Sequence, residues 1–369
     1  MRSCRSVFFH MCAREYFCVM ATQLITAIRP VMFSYELQCV EISTTEKTVR
    51  FRLLHGTDTL LSEDYAPDSQ GRITLYDLNE LVEAVIGNAP KGAFAVALGS
   101  AAVVEFEVLR CSVGMDCTAE EFLDTRFMTS GTDTRTTAPG RYELLNFYER
   151  ETAHEVDVMR VLRNRATGEI TRESACLVPA GAYSPGTVMS VEVSPDYILA
   201  QGDTQAYELV EYTVVCGNRK QRYRVTAAAA ADPSVIYRNR FNVWDTYHFA
   251  GTLESDPQFE RSQAWMNGQY VTYRTQEVMQ FKAMTEPVPL GFECYVQDVA
   301  RSPEIHRLDA AGASRELLTV TDCEIKTVND DDALNVYTLT YRFADKVSAK
   351  AFTGARHRVF DDTFDNSYE

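Results

Sequence analysis

The histidines of this 369-residue chain give little support for a metal centre or for histidine-based catalysis. They stand at positions 10, 55, 154, 248, 306 and 357, and no two of them have the i, i+4 spacing that places two ligands on one face of a helix. His248 lies in the aromatic stretch 244–249, where its neighbours predict a strand histidine beside a packed tryptophan. We therefore expect no metal ligands and no catalytic residues at these positions.

The cysteines also lack a spacing that would carry chemistry. There are ten of them, and no two form a C-x-x-C pair, which removes the main signal of zinc ribbons and thioredoxin-like sites. This usage favours free thiols in a reducing compartment over structural disulfides.

Other catalytic signatures are missing. The chain contains no G-x-S-x-G, H-E-x-x-H, P-loop or dinucleotide-binding motif. The acidic run Asn329–Asp332 lacks the spacing of a calcium loop, so a solvated turn is favoured there. We expect no enzyme and no cofactor, although the two acids of a glycosidase need only spatial proximity and leave a glycan-cleaving enzyme open.

Aromatic side chains are the remaining candidates for a site. The chain has 19 tyrosines and 19 phenylalanines but only two tryptophans. Trp244, Tyr247 and Trp265 could belong to a contact surface or to the core, since core packing accounts for most aromatic residues. Trp265 stands beside the polar turn Met266–Gln269.

Composition restricts the class of protein. The 36 basic and 52 acidic residues give a net charge of −16, which would repel a phosphate backbone, so we expect no nucleic-acid binding. A hydrophobic content of 46% is typical of a globular chain, and its length predicts two or three domains. No apolar stretch approaches the roughly 20 residues of a membrane helix, so no membrane association is expected.

The first 20 residues predict an unstructured extension. Arg14 and Glu15 interrupt their apolar run, and no small-residue cleavage site follows, which disfavours a secretory signal. The stretch that begins at Met20, MATQLITAIRP, is more typical of the start of a protein.

The elements that would position any site are mostly short strands. Residues 21–113 predict a β-sandwich-like domain, with a hairpin turning at His55–Asp58 and one helix from a cap at Asp77 to Gly87. Residues 114–140 predict a connector, with a helix starting at Thr118 and an exposed hydroxyl-rich loop at Thr129–Thr137.

The remaining sequence predicts two further β domains and a tail. Residues 141–231 form a second β-sandwich-like domain, 232–350 a C-terminal β domain with one helix, and 351–369 an acidic flexible tail. The C-terminal domain has predicted strands at Tyr247–Leu253, Tyr270–Thr275, Val278–Met284 and Asn335–Phe343, and a helix at Pro289–Arg301. The predicted fold class is mainly β, with serial β-sandwich-like modules and a few short helices.

Several segments of the chain resemble a known group of proteins. These segments are Pro30–Ser34, Glu143–Leu145, Tyr237–Thr252, Phe259–Ser262, Leu318–Cys323 and Leu334–Phe343. Together they are similar to uncharacterised virion-associated, tail-region structural proteins of phages and prophages of gut anaerobic bacteria, over about 320 residues. The resemblance brings no catalytic residues. It implies a β-rich structural protein of the virion, assembled in the cytoplasm of the bacterial host.

The leading hypothesis is therefore a phage or prophage structural protein of the tail or baseplate region. It would act through protein–protein assembly, with other virion or tail proteins as partners and as a homo-oligomer. The alternative is a carbohydrate-binding surface protein, because aromatic-rich β modules would give a similar sequence.

Overall fold

A computed structural model describes most of the chain. The described residues are 22–99, 103–129, 133–202, 206–227, 233–288, 291–309, 315–328, 330 and 334–344. The predicted N-terminal extension and acidic tail lie outside them, as does most of the acidic run at 329–332.

Strands dominate the described residues, which confirms the mainly β fold class with a few short helices. The strands are β1 (Thr22–Leu24), β2 (Val31–Phe33), β3 (Cys39–Thr44), β4 (Val49–His55), β5 (Asp58–Tyr65), β6 (Arg72–Tyr76), β7 (Lys91–Leu98), β8 (Val104–Leu109), β9 (Thr134–Thr137), β10 (Leu144–Tyr148), β11 (Val156–Asn164), β12 (Ile170–Val178), β13 (Val188–Glu192), β14 (Tyr207–Cys216), β15 (Arg219–Val225), β16 (Ser234–Arg238), β17 (Trp244–His248), β18 (Leu253–Met266), β19 (Gln269–Met284), β20 (Ile305–Leu308), β21 (Arg315–Glu324) and β22 (Thr338–Phe343). The α-helices are α1 (Leu78–Ile86), α2 (Ala119–Thr125), α3 (Pro195–Leu199) and α4 (Glu293–Arg301).

The chain divides into two compact units. The first runs to Val85 and includes Gly92–Val108, whereas the second comprises Ile86–Lys91 and the chain from Leu109 onwards. The predicted boundary between residues 231 and 232 falls inside the second unit.

The first unit is built on a three-stranded sheet, ordered β1-β3-β6, and a five-stranded sheet, ordered β2-β8-β7-β4-β5. The predicted hairpin is confirmed as β4–β5, and Gly56 in its turn has a φ of 59°, which a glycine adopts without strain. The predicted helix is confirmed as α1, which ends at Ile86. The next residue, Gly87, has a φ of 58°, the left-handed conformation in which a glycine commonly ends a helix.

The second unit begins with a β-sandwich-like module. A five-stranded sheet, ordered β12-β11-β14-β15-β9, shares a core with the two-stranded sheet β10-β13. Alternate residues of β11, from Val156 to Leu162, are buried on one face, as expected of a strand with one exposed side. The rings of Tyr212 and Tyr223 stack in this core with centroids 4.7 Å apart.

The predicted connector contributes to this module. Its helix is confirmed as α2, where Thr118 and Glu121 form a capping box. The prediction of an exposed loop at Thr129–Thr137 is wrong for its last four residues, which form β9, pair in parallel with β15 and bury Arg135 and Thr137. Arg135 can be buried because the carboxylate of Asp245 pairs with its guanidinium. Asp245 lies 110 residues further along the chain, so the composition around Arg135 does not reveal this partner.

The rest of the second unit is a seven-stranded sheet, ordered β17-β16-β20-β21-β22-β19-β18. Helix α4 packs on it through Tyr295, Val296 and Val299, which join the same hydrophobic core as Tyr237 and Phe281. The predicted end of this helix at Arg301 is confirmed, but it begins at Glu293, later than predicted.

One of the strand predictions in this sheet is wrong. The predicted strand Tyr247–Leu253 is interrupted, because β17 ends at His248 and β18 begins at Leu253. Gly251 lies in the interruption, where a Cβ would come within 2.3 Å of the Thr285 carbonyl oxygen, so the chain passes too closely for any other residue. The strands predicted at Tyr270–Thr275 and Val278–Met284 are confirmed as strand, and the structure joins them in one continuous strand, β19.

One buried carboxylate contributes to the acid sensitivity expected of the sandwich-like module. The Glu149 side chain is 3% exposed and accepts hydrogen bonds from the Tyr183 hydroxyl at 2.6 Å and the Arg219 Nη1 at 2.9 Å, and from the His154 backbone N–H. Burial by itself would raise the pKa of Glu149, but these hydrogen bonds outweigh it and lower the pKa to about 2.

We expect Glu149 to stabilise the fold at neutral pH and to lose this contribution in acid. Because its pKa falls from 4.5 in the unfolded chain to about 2 in the fold, the stabilisation is complete above pH 4.5 and is lost as the pH falls towards 2. Glu149→Gln should therefore cost about 3 kcal/mol at pH 7, where it removes one partner of a buried pair, and less in acid. Urea unfolding between pH 7 and pH 3 measures this, with the exposed Glu169→Gln as control. Equal pH dependence in both variants would contradict the assignment.

Candidate interaction arm

The hairpin of β18 and β19 extends beyond the other five strands of the seven-stranded sheet. Strand β19 pairs with β22 only over Phe281–Met284, and the preceding part of β19 pairs with β18 alone. We call residues 256–280 the arm. With a rise of about 3.4 Å per residue, its strand Asp256–Met266 spans roughly 35 Å.

Local sequence explains why the arm forms a hairpin. Asn267 and Gly268 have φ angles of 53° and 80°, the two positive values required by a two-residue type I′ turn. The turn sets the register in which Trp265 lies opposite Tyr270. Pro257 is tolerated because β18 is an edge strand, where a missing N–H need not break a ladder hydrogen bond.

Large apolar and aromatic side chains are exposed along the arm. The exposed fractions are 54% for Phe259, 63% for Trp265, 53% for Met266, 74% for Tyr270 and 67% for Tyr273. The rings of Trp265 and Tyr270 meet edge to face, with centroids 4.8 Å apart. In a monomer these side chains face solvent, so they form an apolar surface available to a partner.

Three of these residues continue the hydrophobic core outwards. The strand register and the alternation of side chains place Phe259, Trp265 and Tyr270 on one face of the hairpin. At the root of the arm the same face carries Phe281 and Ala283, which are buried in the core of the C-terminal sheet. An apolar stripe therefore runs from the core to the arm tip.

The arm is nearly neutral in an acidic chain. It contains three acidic residues, Asp256, Glu260 and Glu277, and two basic residues, Arg261 and Arg274, which gives a net charge of −1. The whole chain carries −16. Charge repulsion at the arm is therefore smaller than over the rest of the acidic chain.

The aromatic residues selected from the sequence occupy three different environments. Tyr247 is buried, with its ring 4.7 Å from that of Phe249. Trp244 lies on the opposite face of β17 and is half-buried, with the Arg238 guanidinium 3.9 Å above its ring. Trp265 is exposed on the arm. The structure therefore does not bring the three together.

Sequence reasoning did not identify the other aromatic residues of the arm. Phe259, Tyr270 and Tyr273 lie among polar residues, so neither strand shows a clear hydrophobic period. The Asn267–Gly268 pair is the signal that could have predicted the hairpin, because this dipeptide favours a type I′ turn.

Among the residues that the structure describes, one group has a geometry compatible with a metal ion. Glu155, Asp157 and Cys176 each place one ligand atom within 4.8 Å of the others, next to the pairing of β11 with β12. Glu155 and Cys176 are exposed. Exposed acidic groups are common without a metal, so we assign none. Within the described ranges, no helix has both the length and the apolar character needed to cross a membrane.

Comparisons with known proteins give no family. No protein-family model matches the chain, and no curated protein shows significant similarity to it. Among solved structures, the chain is similar to the I9-I11 tandem from titin, with 12% identity over 88% of this chain and 91% of that chain and a TM-score of 0.16. A TM-score this low does not establish a shared arrangement of modules.

Proposed function

We propose that this chain is a structural protein of a phage or prophage virion, from the tail or baseplate region, and that it acts by protein–protein assembly. The observation that supports this proposal is the exposed apolar stripe of the arm. Segments of the sequence that resemble virion-associated proteins, including Phe259–Ser262 within the arm, suggest the same role.

The arm has the properties of a segment that is completed by a partner. An isolated two-stranded hairpin is only marginally stable in water. The three exposed side chains of the stripe, Phe259, Trp265 and Tyr270, present roughly 300–500 Å² of mostly apolar surface, which is their exposed fraction of the 150–250 Å² that an aromatic side chain buries. That area is comparable to the largest apolar patch of a typical monomer, which is often functional, and is about half of the roughly 800 Å² that one partner contributes to a stable interface.

The partner of the arm is a second copy of this chain. Two copies related by a two-fold axis would bring the same stripe, Phe259, Trp265 and Tyr270, into contact with itself. The near-neutral arm permits this approach, whereas most of the acidic chain resists it. Strand β18 is also a sheet edge, so its backbone groups can pair with another strand.

The remaining features of the proposal follow from this role. The protein resides in the virion after assembly in the bacterial cytoplasm, and other tail proteins are further partners. It acts without a catalytic residue or a cofactor, and binds neither nucleic acid nor membrane.

A carbohydrate-binding surface protein is the second candidate. The exposed Trp265–Tyr270 pair favours it, because sugar rings stack on aromatic faces. Glycan titration followed by tryptophan fluorescence distinguishes the two functions: a saturable change in a protein that remains monomeric would favour carbohydrate binding.

We expect the purified protein to associate more strongly as salt is added. Its charge of −16 keeps copies apart at low ionic strength, and the Debye length falls from about 30 Å at 0.01 M salt to about 8 Å at 0.15 M. Light scattering coupled to size-exclusion chromatography over this range measures the mass. A strict monomer at every salt concentration, both alone and with the products of neighbouring genes, would contradict the proposed function.

A further inference from the structure

The outer face of the five-stranded sheet in the sandwich-like module is positively charged, although the chain is acidic. Strands β11, β12, β14 and β15 turn alternate side chains away from the module core, and these outward side chains of residues 157–163, 170–176, 208–215 and 220–224 are called the basic face below. Its charged members are the bases Arg163, Arg172, Lys220, Arg222 and Arg224 and the acids Asp157, Glu208 and Glu211. Five bases against three acids give the face a charge of +2, whereas the chain carries −16.

The bases lie on both sides of this face. Lys220, Arg222 and Arg224 occupy every second position of β15 and are exposed, while the residues between them are buried. Arg172 on β12 lies in the same row of paired residues as Arg224, three strands away. Because neighbouring strands are about 4.8 Å apart, the Cα atoms of Arg172 and Arg224 are separated by roughly 14 Å. A bound segment could therefore contact bases at both edges of the face.

Three of the five bases are available to a partner. Arg172, Lys220 and Arg224 form no ion pair with any residue in the described part of the chain. Asp157 shares a row with Lys220, but Val215 lies between them. The two ion pairs on the face join Arg163 to Glu208 at 2.9 Å and Arg222 to Glu211 at 2.5 Å.

Apolar side chains lie between the bases. Met159 is 46% exposed and Ile170 is 47% exposed, and Val161 is half-buried near both of them. Val161 is directly opposite Arg172, in the row that ends at Arg224. The face thus combines positive charge with apolar area, which suits an acidic peptide with large apolar side chains better than it suits a bare phosphate backbone.

We propose that the basic face binds residues 360–369 of its own chain, a segment that lies outside the described residues. The segment has no base and four acids, which are Asp361, Asp362, Asp365 and Glu369. Its aromatic residues are Phe360, Phe364 and Tyr368. The acids complement the three available bases, and the aromatic rings complement the apolar side chains between them.

The length of the connection favours a segment from the same chain. Ala344 is the last described residue, so residues 345–359 join it to the segment. Fifteen residues can extend over roughly 50 Å, and a tether of this length keeps the segment at an effective concentration on the order of millimolar. Ion pairs that are individually weak at an exposed surface are then sufficient for binding. The basic face and the arm belong to different sheets, so this proposal does not depend on assembly through the arm.

Carbodiimide cross-linking of the full-length protein, read by mass spectrometry, tests the contact. This reagent joins a lysine to a nearby carboxylate, and Lys220 is the lysine of the basic face. We expect a cross-link between Lys220 and residues 360–369 whose yield falls at least threefold in Arg224→Glu. The matched control is Arg72→Glu, at an exposed strand arginine of the first unit, which should leave the yield unchanged.

A mixture of ¹⁴N- and ¹⁵N-labelled protein shows which chain supplies the segment. We expect Lys220 to be joined to a segment that carries its own isotope. Cross-links between the two isotopes would assign the segment to another copy and would overturn the proposal, as would the absence of a Lys220 cross-link or equal yields in Arg224→Glu and Arg72→Glu.

A peptide titration tests whether charge drives the binding. The full-length variant with Asp361→Asn, Asp362→Asn, Asp365→Asn and Glu369→Gln leaves the face unoccupied, and a fluorescent peptide of residues 360–369 should bind it with a saturable rise in anisotropy. A peptide with the same four replacements should bind at least tenfold more weakly. Equal binding of the two peptides, or tighter binding of a ten-nucleotide DNA strand than of the acidic peptide, would contradict the assignment.

Discussion

Replacing Asp245 with alanine is expected to lower the free energy of unfolding by about 3–5 kcal/mol, the cost of leaving a buried charge without its partner. Asp245 is completely buried, and the Arg135 side chain is 6% exposed. The Arg135 Nη2 lies 2.9 Å from one carboxylate oxygen of Asp245 and 3.1 Å from the other. The Thr246 backbone N–H also donates to this carboxylate at 2.9 Å.

Asp245 belongs to a buried network that joins the sandwich-like module to the seven-stranded sheet. Arg135 is on β9 and Asp245 on β17. Glu143, which precedes β10, accepts hydrogen bonds from the Thr246 hydroxyl at 3.0 Å and lies 3.0 Å from the His248 Nε2. Burial alone would raise the pKa of Glu143, but His248 and Arg135 outweigh it and lower the pKa. Loss of Asp245 therefore disturbs contacts in both the sandwich-like module and the seven-stranded sheet.

Urea unfolding followed by tryptophan fluorescence measures the effect, because Trp244 is adjacent to Asp245. The control is Glu208→Ala, which removes an exposed ion pair with Arg163 and should cost less than about 1 kcal/mol. If Asp245→Ala is no less stable than Glu208→Ala, the network does not hold the two parts of this unit together.

Replacing both Trp265 and Tyr270 with serine is expected to abolish self-association and to leave the stability of the monomer nearly unchanged. Both side chains are mostly exposed, so the monomer loses little packing. In an assembly, each aromatic side chain that becomes buried contributes about 1.5–3 kcal/mol, so the double replacement should weaken association by a hundredfold or more.

Analytical ultracentrifugation of the double variant tests this expectation. Tyr76→Ser is the matched control, since Tyr76 is 69% exposed but lies in the first unit, away from the arm in sequence. The control should associate as the wild type does. Unchanged association of the double variant would exclude the arm as the contact, and a large loss of stability would show that the arm packs within the monomer.

Features that depend on neighbouring residues could be predicted from the sequence alone. The hairpin β4–β5, the start of α2 at Thr118 and the ends of α1 and α4 all agree with the structure. Each depends on a turn glycine, a capping side chain or a short hydrophobic period, and these act over a few residues. The mainly β fold class follows from the same local signals.

Features that depend on distant residues were decided only by the tertiary structure. Arg135 looked exposed in a hydroxyl-rich run, and its burial requires Asp245, 110 residues away. The β19 side of the arm was predicted as strand, but its partner strand β18 was missed for a related reason. The few apolar residues of β18 lie among polar ones, and the strand is identified by its pairing with β19 rather than by a hydrophobic period. Trp244 and Trp265 are equivalent as residue types, yet one is half-buried under Arg238 and the other is exposed on the arm. Burial is a property of what packs against a side chain, and in this protein the packing partners come from distant parts of the chain.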